Sequence, residues 1–100
     1  MTREEVSRRE STERLEPSAC VYIVKCADGT LYTGWSNDVE SRVAAHNAGH
    51  GARYTAGRRP VTLIYAENCG TKSSAMKRER QIKRYSRARK LSLSTTRPAR

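Results

Sequence analysis

CVYIVKCADGTLYTGW, Cys20 to Trp35, is the stretch on which the fold turns. Two runs rich in β-branched and aromatic residues flank Ala27-Asp28-Gly29, the pattern of two antiparallel strands joined by a tight turn. Turn length sets the register, and a slip of one residue moves every side chain to the other face. A two-residue Asp28-Gly29 turn pairs Tyr22 with Trp35 and Tyr32 with Lys25, leaving the tyrosines on opposite faces. A three-residue turn, with Gly29 left-handed in a bulge, pairs Val24 with Tyr32 and Tyr22 with Gly34, and puts both hydroxyls on one face. A glycine opposite Tyr22 suits a place where a ligand or another backbone comes close, although both tyrosines can equally be ordinary strand aromatics.

Downstream, Asn37 or Ser36 is placed to cap a helix running to about Asn47, with Glu40 near its third position and Gly49 as its stop. GHGARYTAGRRP reads as a Gly-rich basic loop and VTLIYAE as a third strand opened by Pro60. Thr71 or Ser73 starts a second helix reaching about Tyr85, and SRARKLSL adds a short third one. The order ββαβα(α) predicts an α/β (α+β) fold, a small three-stranded, largely antiparallel sheet flanked by helices. Residues 1–18 hold one Val and one Leu among charges and are expected to be a disordered tail, 19–91 the domain, and 92–100 a basic tail.

A chain of 100 residues with 36% apolar content closes one modest core. Its net charge of +10 is unevenly spread: residues 1–18 net −1, residues 19–70 net +1, and residues 71–100, with eleven cations against Glu79 alone, net +10. Such a concentrated field is suited to a polyanion, nucleic acid before anionic membrane, although a charge run can be no more than a solvated face. No apolar stretch is long enough to span a membrane, and MTREEVSRRE lacks the apolar centre of a signal peptide, so a cytoplasmic protein is expected. Cys20, Cys26 and Cys69 are odd in number and show no C-x-x-C pairing, which suits reduced structural thiols.

On the first helix Val39 and Val43 define the buried stripe, and Arg42 and His46, four apart, flank it. Arg42 can clamp a phosphate by two parallel hydrogen bonds, and His46 can move a proton near neutral pH. On the second helix Ala75, Met76 and Ile82 mark the apolar face, and Glu79 falls inside that arc. A buried carboxylate is costly unless paired or bound to metal, so Glu79 is either a metal ligand or half of an ion pair, with Arg42 a possible partner.

VY-x9-Y-T-G, then R-x3-H on the next helix, then a lone Glu on a later basic helix, together resemble the GIY-YIG nuclease domain over roughly residues 19–91. LYTGWSNDVESRVAAHNAGHGARYTAGRRPV and AMKRERQIKRYSRARKLSL, in that order, look like its small single-domain bacterial group. The resemblance implies an endonuclease that hydrolyses DNA phosphodiesters with one divalent cation, magnesium or manganese. Tyr22 and Tyr32 then match the motif tyrosines, Gly34 the closing glycine, Arg42 the helix arginine, His46 the His-or-Tyr position and Glu79 the metal-binding glutamate. Two positions depart: Cys20 replaces the first motif's glycine, and Trp35 stands where some members carry lysine, able to stack on a base or simply to pack.

Arg53, Arg58 and Arg59 in the loop, with Lys77, Arg78, Arg80, Lys83 and Arg84 on the helix, are expected to contact backbone phosphates without reading sequence. The implied partner is DNA, nicked, branched or single-stranded, with RNA not distinguished, no membrane, and a protein partner as a possible source of specificity. The alternative is a non-catalytic nucleic-acid-binding module on the same scaffold.

Overall fold

The computed structural model describes residues 18–96. The two expected tails, apart from Ser18 and residues 92–96, lie outside the described residues. Seven elements follow in order: β1 (Ala19–Lys25), β2 (Leu31–Ser36), α1 (Val39–Asn47), α2 (Arg53–Ala56), β3 (Thr62–Gly70), α3 (Lys72–Lys83) and α4 (Arg87–Thr96). The sheet is antiparallel with β1 in the centre, in the order β2-β1-β3, so the expected order and layering hold.

The turn takes its three-residue form. The Cys26 N–H donates to the Thr30 carbonyl at 2.8 Å, the Gly29 N–H to the Cys26 carbonyl at 2.9 Å, and Gly29 sits at φ 88°, where a side chain would be strained. Val24 therefore opposes Tyr32 and Tyr22 opposes Gly34. Alternation then divides the core in two. Tyr22, Val24, Cys26, Val61 and Ala66 form one cluster, with Tyr32, Val39, Val43 and Leu63 against it. Val21, Ile23, Tyr65 and Ile82 form the other, on the opposite face. Helix α1 covers the first and α3 with α4 the second, which gives three layers.

Local chemistry explains the helix ends. The α1 cap is Asp38, whose Oδ1 accepts from the Ser41 N–H at 3.2 Å; Ser36, expected as a candidate, instead accepts the Asp38 N–H at 2.9 Å and braces the cap from outside. At the other end Gly49, at φ 90°, donates to the His46 carbonyl while the His50 N–H reaches back to Ala45, the paired contacts that close a helix on a left-handed glycine. Thr71 caps α3, its Oγ1 accepting from the Ser74 N–H at 3.1 Å.

Three expectations need correction. The basic loop is not structureless, since Arg53–Ala56 make one helical turn. Met76, placed on the apolar face of α3, is 36% exposed, while Ala75 and Ile82 are fully buried. Residues 92–96, assigned to a tail, continue α4, because Leu93 packs against the cluster of Val21, Ile23, Tyr65 and Ile82. The three cysteines are free thiols.

Deleting the Ile82 side chain leaves a void at the centre of the second cluster. Ile82→Ala is expected to lower stability by about 2–5 kcal/mol, and Met76→Ala by less than about 0.5 kcal/mol, in urea titrations of the two variants.

Candidate active site

Tyr22, on the central strand, runs its ring across Gly34 of the neighbouring strand. A Cβ at position 34 would stand 2.6 Å from the Tyr22 hydroxyl oxygen, so only glycine leaves that path open. The hydroxyl oxygen ends 2.8 Å from His46 Nε2, and both residues are buried, at 1% and 0% exposure. His46 Nδ1 lies 2.7 Å from Thr55 Oγ1, and the Thr55 hydroxyl reaches the Ala52 carbonyl at 3.1 Å. A polar thread thus passes from the sheet through α1 into the turn of α2.

Tyr32 shares this face and packs the edge of its ring against His46, with centroids 5.2 Å apart. Its outer side is stacked on Tyr54 at 5.9 Å, and the Arg58 guanidinium covers the Tyr54 ring at 4.1 Å. Arg42 is exposed on α1 and donates from Nη2 to the Gly51 carbonyl at 3.2 Å. Gly51 lies directly on His46, where an added Cβ would collide with the imidazole.

Glu79 is mostly shielded, with 18% of its side chain exposed, and pairs with Lys83 Nζ at 3.3 Å. The ion-pair alternative is therefore present, but with Lys83 and not with Arg42. A half-exposed i, i+4 pair is worth about 0.3–0.5 kcal/mol, so it yields readily to a stronger cation.

Charge and burial set the protonation states. Burial pushes the Tyr22 phenol up to about 12; the nearby Arg42 guanidinium opposes the shift, while Tyr32 and the Glu79 carboxylate add to it. Contacts join Tyr22, Tyr32 and His46 directly, while Arg42 and Glu79 reach Tyr22 through their charge. Burial, helped by the Arg42 charge, holds His46 below its ordinary value, so the ring is neutral at pH 7.

The basic residues divide. Arg58 Nε pairs with Asp28 at 3.1 Å and its Nη1 donates to the Tyr54 carbonyl at 2.7 Å, tying the loop to the hairpin turn. Arg59 donates to the Ala56 carbonyl at 2.8 Å and leans on Gly49. Arg78 grips the Glu67 carboxylate with Nε at 3.0 Å and reaches Gln81 and the Tyr85 hydroxyl. These three are occupied by structural contacts. Arg53, Lys77, Arg80, Lys83 and Arg84 present exposed cations. Trp35 opposes Val21 on the α3 side of the sheet, away from the tyrosines, with Lys72 Nζ 5.8 Å from its ring.

The pattern of the chain matches the family model of the GIY-YIG catalytic domain over residues 18–92. The chain belongs to the GIY-YIG family. It is 60% identical over 73 residues to a UPF0213 protein of Staphylococcus aureus, covering 73% of this chain and 89% of that one. Its fold is similar to the solution NMR structure of a UPF0213 protein from Bacillus halodurans, at 39% identity and a TM-score of 0.52 over 80% of this chain and 85% of that one. A protein of E. faecalis, also solved by NMR, is similar at 40% identity and a TM-score of 0.55 over 79% and 84%. The GIY-YIG domain is a nuclease-superfamily domain, which implies a nucleic-acid substrate, and its nucleases generally use divalent metal ions.

Among the described residues no three His, Cys, Asp or Glu side chains gather as a metal cluster. A lone carboxylate such as Glu79 still suits magnesium, which keeps most of its water and takes its remaining ligands from substrate phosphates. Among the same residues no helix is long and apolar enough to cross a membrane.

Thr55, Gly51 and Tyr54 were not singled out from the sequence, and Asn47 was read only as a helix end. Asn47 Oδ1 accepts the Val61 N–H at 2.6 Å and its Nδ2 donates to the Val61 carbonyl at 3.1 Å, fastening α1 to the start of β3. The two glycines of GHGARYT were the available signal, since a glycine outside a turn often marks a close approach.

Two outcomes test this geometry. Gly51→Ala is expected to cost about 1–3 kcal/mol by thermal unfolding, while Gly57→Ala, whose Cβ would meet nothing within 4 Å, leaves stability unchanged or raised. Below its ordinary value of 6.5, His46 is protonated in the unfolded chain before the folded one. The stability this contributes is fully present above that value and is lost as pH falls toward the lower folded value. Tm should therefore decline between pH 7 and 5, more shallowly in His46→Gln, as scanning calorimetry across that range will read.

Proposed function

We infer that this chain is a metal-dependent endonuclease that hydrolyses DNA phosphodiester bonds. The observation that carries this reading is the buried Tyr22–His46 contact, with Tyr32 on the same face and the Arg42 charge acting on Tyr22, in a GIY-YIG chain whose α3 carries exposed cations suited to a phosphate backbone. Arg42, exposed at the rim, holds the scissile phosphate by charge-assisted hydrogen bonds. Glu79, once released from Lys83, would hold the divalent ion, magnesium or manganese, which would supply positive charge to the leaving oxygen.

The proton of the attacking water passes to a tyrosine oxygen. With its phenol at about 12, Tyr22 lies about five units above pH 7, so releasing its proton to bulk water costs about 7 kcal/mol. Tyr22 is for that reason better suited to accept one proton as it gives up another than to wait as a phenolate. Tyr32, held edge-on to His46 and less enclosed, supports the same pocket.

Arg53, Lys77, Arg80, Lys83 and Arg84 position the strand, and with no separate recognition element among the described residues, choice of site falls to DNA structure or to a protein partner. A cytoplasmic location and a part in DNA repair or processing accord with this reading. The rival, a non-catalytic nucleic-acid-binding module, has the Glu79–Lys83 pair and the protonated Tyr22 in its favour.

Cutting of supercoiled plasmid and of nicked, branched and single-stranded oligonucleotides, with magnesium or manganese, separates the two. The nuclease reading expects metal-dependent cleavage that falls at least about 100-fold in Glu79→Gln and in Tyr22→Phe while binding persists. Binding by all three proteins with cleavage by none supports the rival. Neutralising Lys77, Arg80 or Arg84 is expected to weaken binding evenly across sequences and to reduce the slope of log affinity against log salt by about one each.

A further inference from the structure

We propose that Thr55 is a positioning residue that fixes the tautomer of His46, so that Nε2 faces the Tyr22 hydroxyl as a bare acceptor. The argument is one of proton counting along a buried thread. A threonine hydroxyl carries one proton, and the Ala52 carbonyl can only accept, so the 3.1 Å contact between them uses that proton. The 2.7 Å contact between Thr55 Oγ1 and His46 Nδ1 is then a hydrogen bond only with Nδ1–H as donor. A neutral imidazole has one N–H, so Nε2 carries a lone pair, and the 2.8 Å contact to Tyr22 is made by the phenol donating.

The other groups that meet the thread, the Arg42 guanidinium at the Tyr22 hydroxyl and the Ala56 N–H on the Ala52 carbonyl at 3.0 Å, can only donate, so neither takes the phenol proton. Thr55 and His46 are both fully buried, and the absent side chain of Gly51 lets the loop backbone close over the ring. The 2-residue span from Tyr54 to Thr55 is small, yet it serves both partners of Tyr22's face: Tyr54 stacks on Tyr32, and Thr55 bonds His46. The turn of α2 is thus the element that orients the site from behind.

The consequence for the reaction rests on the nuclease reading. As the Tyr22 oxygen takes a proton from the attacking water, the Tyr22 proton crosses to His46 Nε2, and the imidazolium so formed keeps its Nδ1–H on Thr55. One O–H bond forms and one breaks at Tyr22, one N–H bond forms at His46, and no phenolate is released to solvent. With the other tautomer Nε2–H would donate to Tyr22 and block this transfer.

The test needs neither metal nor DNA. Nitrogen-15 NMR of the imidazole ring distinguishes bare from protonated nitrogens, and His46 and His50 are the two histidines to assign, by comparison with His50→Gln. Wild type and Thr55→Ser should both show Nδ1 protonated and Nε2 bare at pH 7. Thr55→Val, of the same shape without the acceptor, should lose that pattern, with turnover on cleavable DNA down about 10–100-fold, DNA affinity unchanged, and recovery in Thr55→Ser. Nε2–H in wild type, or an unchanged tautomer with wild-type turnover in Thr55→Val, overturns the proposal. If the wild type cuts nothing while the tautomer follows position 55, the assignment of Thr55 to tautomer control stands and the nuclease reading alone falls.

Discussion

The register of the β1–β2 hairpin is the constraint on which the site depends, and Gly29 sets it. A residue able to sit at φ 88° lets three residues, not two, turn the chain, and that one-residue difference aligns Tyr22 with Gly34 and Val24 with Tyr32. Every later relation follows from this alignment. The tyrosines share a face, the ring of Tyr22 crosses the strand where no side chain stands, and the two core clusters fall on opposite sides of the sheet for α1 and α3 to cover.

Burying Tyr22, His46 and Thr55 together is tolerable because each polar atom in the thread meets another. An unmatched buried polar group costs about 1–3 kcal/mol, and this thread ends on the Ala52 carbonyl, which accepts the Thr55 hydroxyl beside the Ala56 N–H. Completeness also makes the site rigid, since no member can turn without leaving a neighbour unpaired. Arg42 and Glu79 stand outside the thread. One is exposed and the other is held by a weak pair, which leaves both available to anions and cations from solvent.

The strong positive charge serves two separate ends. Arg58, Arg59 and Arg78 fasten the loop, the end of α1 and β3 through carboxylates, carbonyls and ring faces, so their charge is largely spent inside the fold. Lys77, Arg80 and Arg84 make few such contacts and keep their charge for a polyanion. Counting cations along the chain could not separate these groups, because sequence position says nothing of whether Asp28 or Glu67 lies within reach.

Sequence alone determined the order of elements, the three-residue option for the turn, the buried stripe of Val39 and Val43, the glycine stop at Gly49 and the family motif with Tyr22, Tyr32, Gly34, Arg42, His46 and Glu79. These are legible because periodicity and special backbone conformations are local, carried by residues a few positions apart. Only the tertiary structure decided that His46 is buried against Thr55, that Gly51 must lack a side chain, that Lys83 and not Arg42 pairs with Glu79, and that α4 continues to Thr96 on the strength of Leu93. Each of these depends on which side chains the folded layers bring within hydrogen-bonding or van der Waals distance, and that is settled by packing between distant segments, not by any residue's neighbours in the chain.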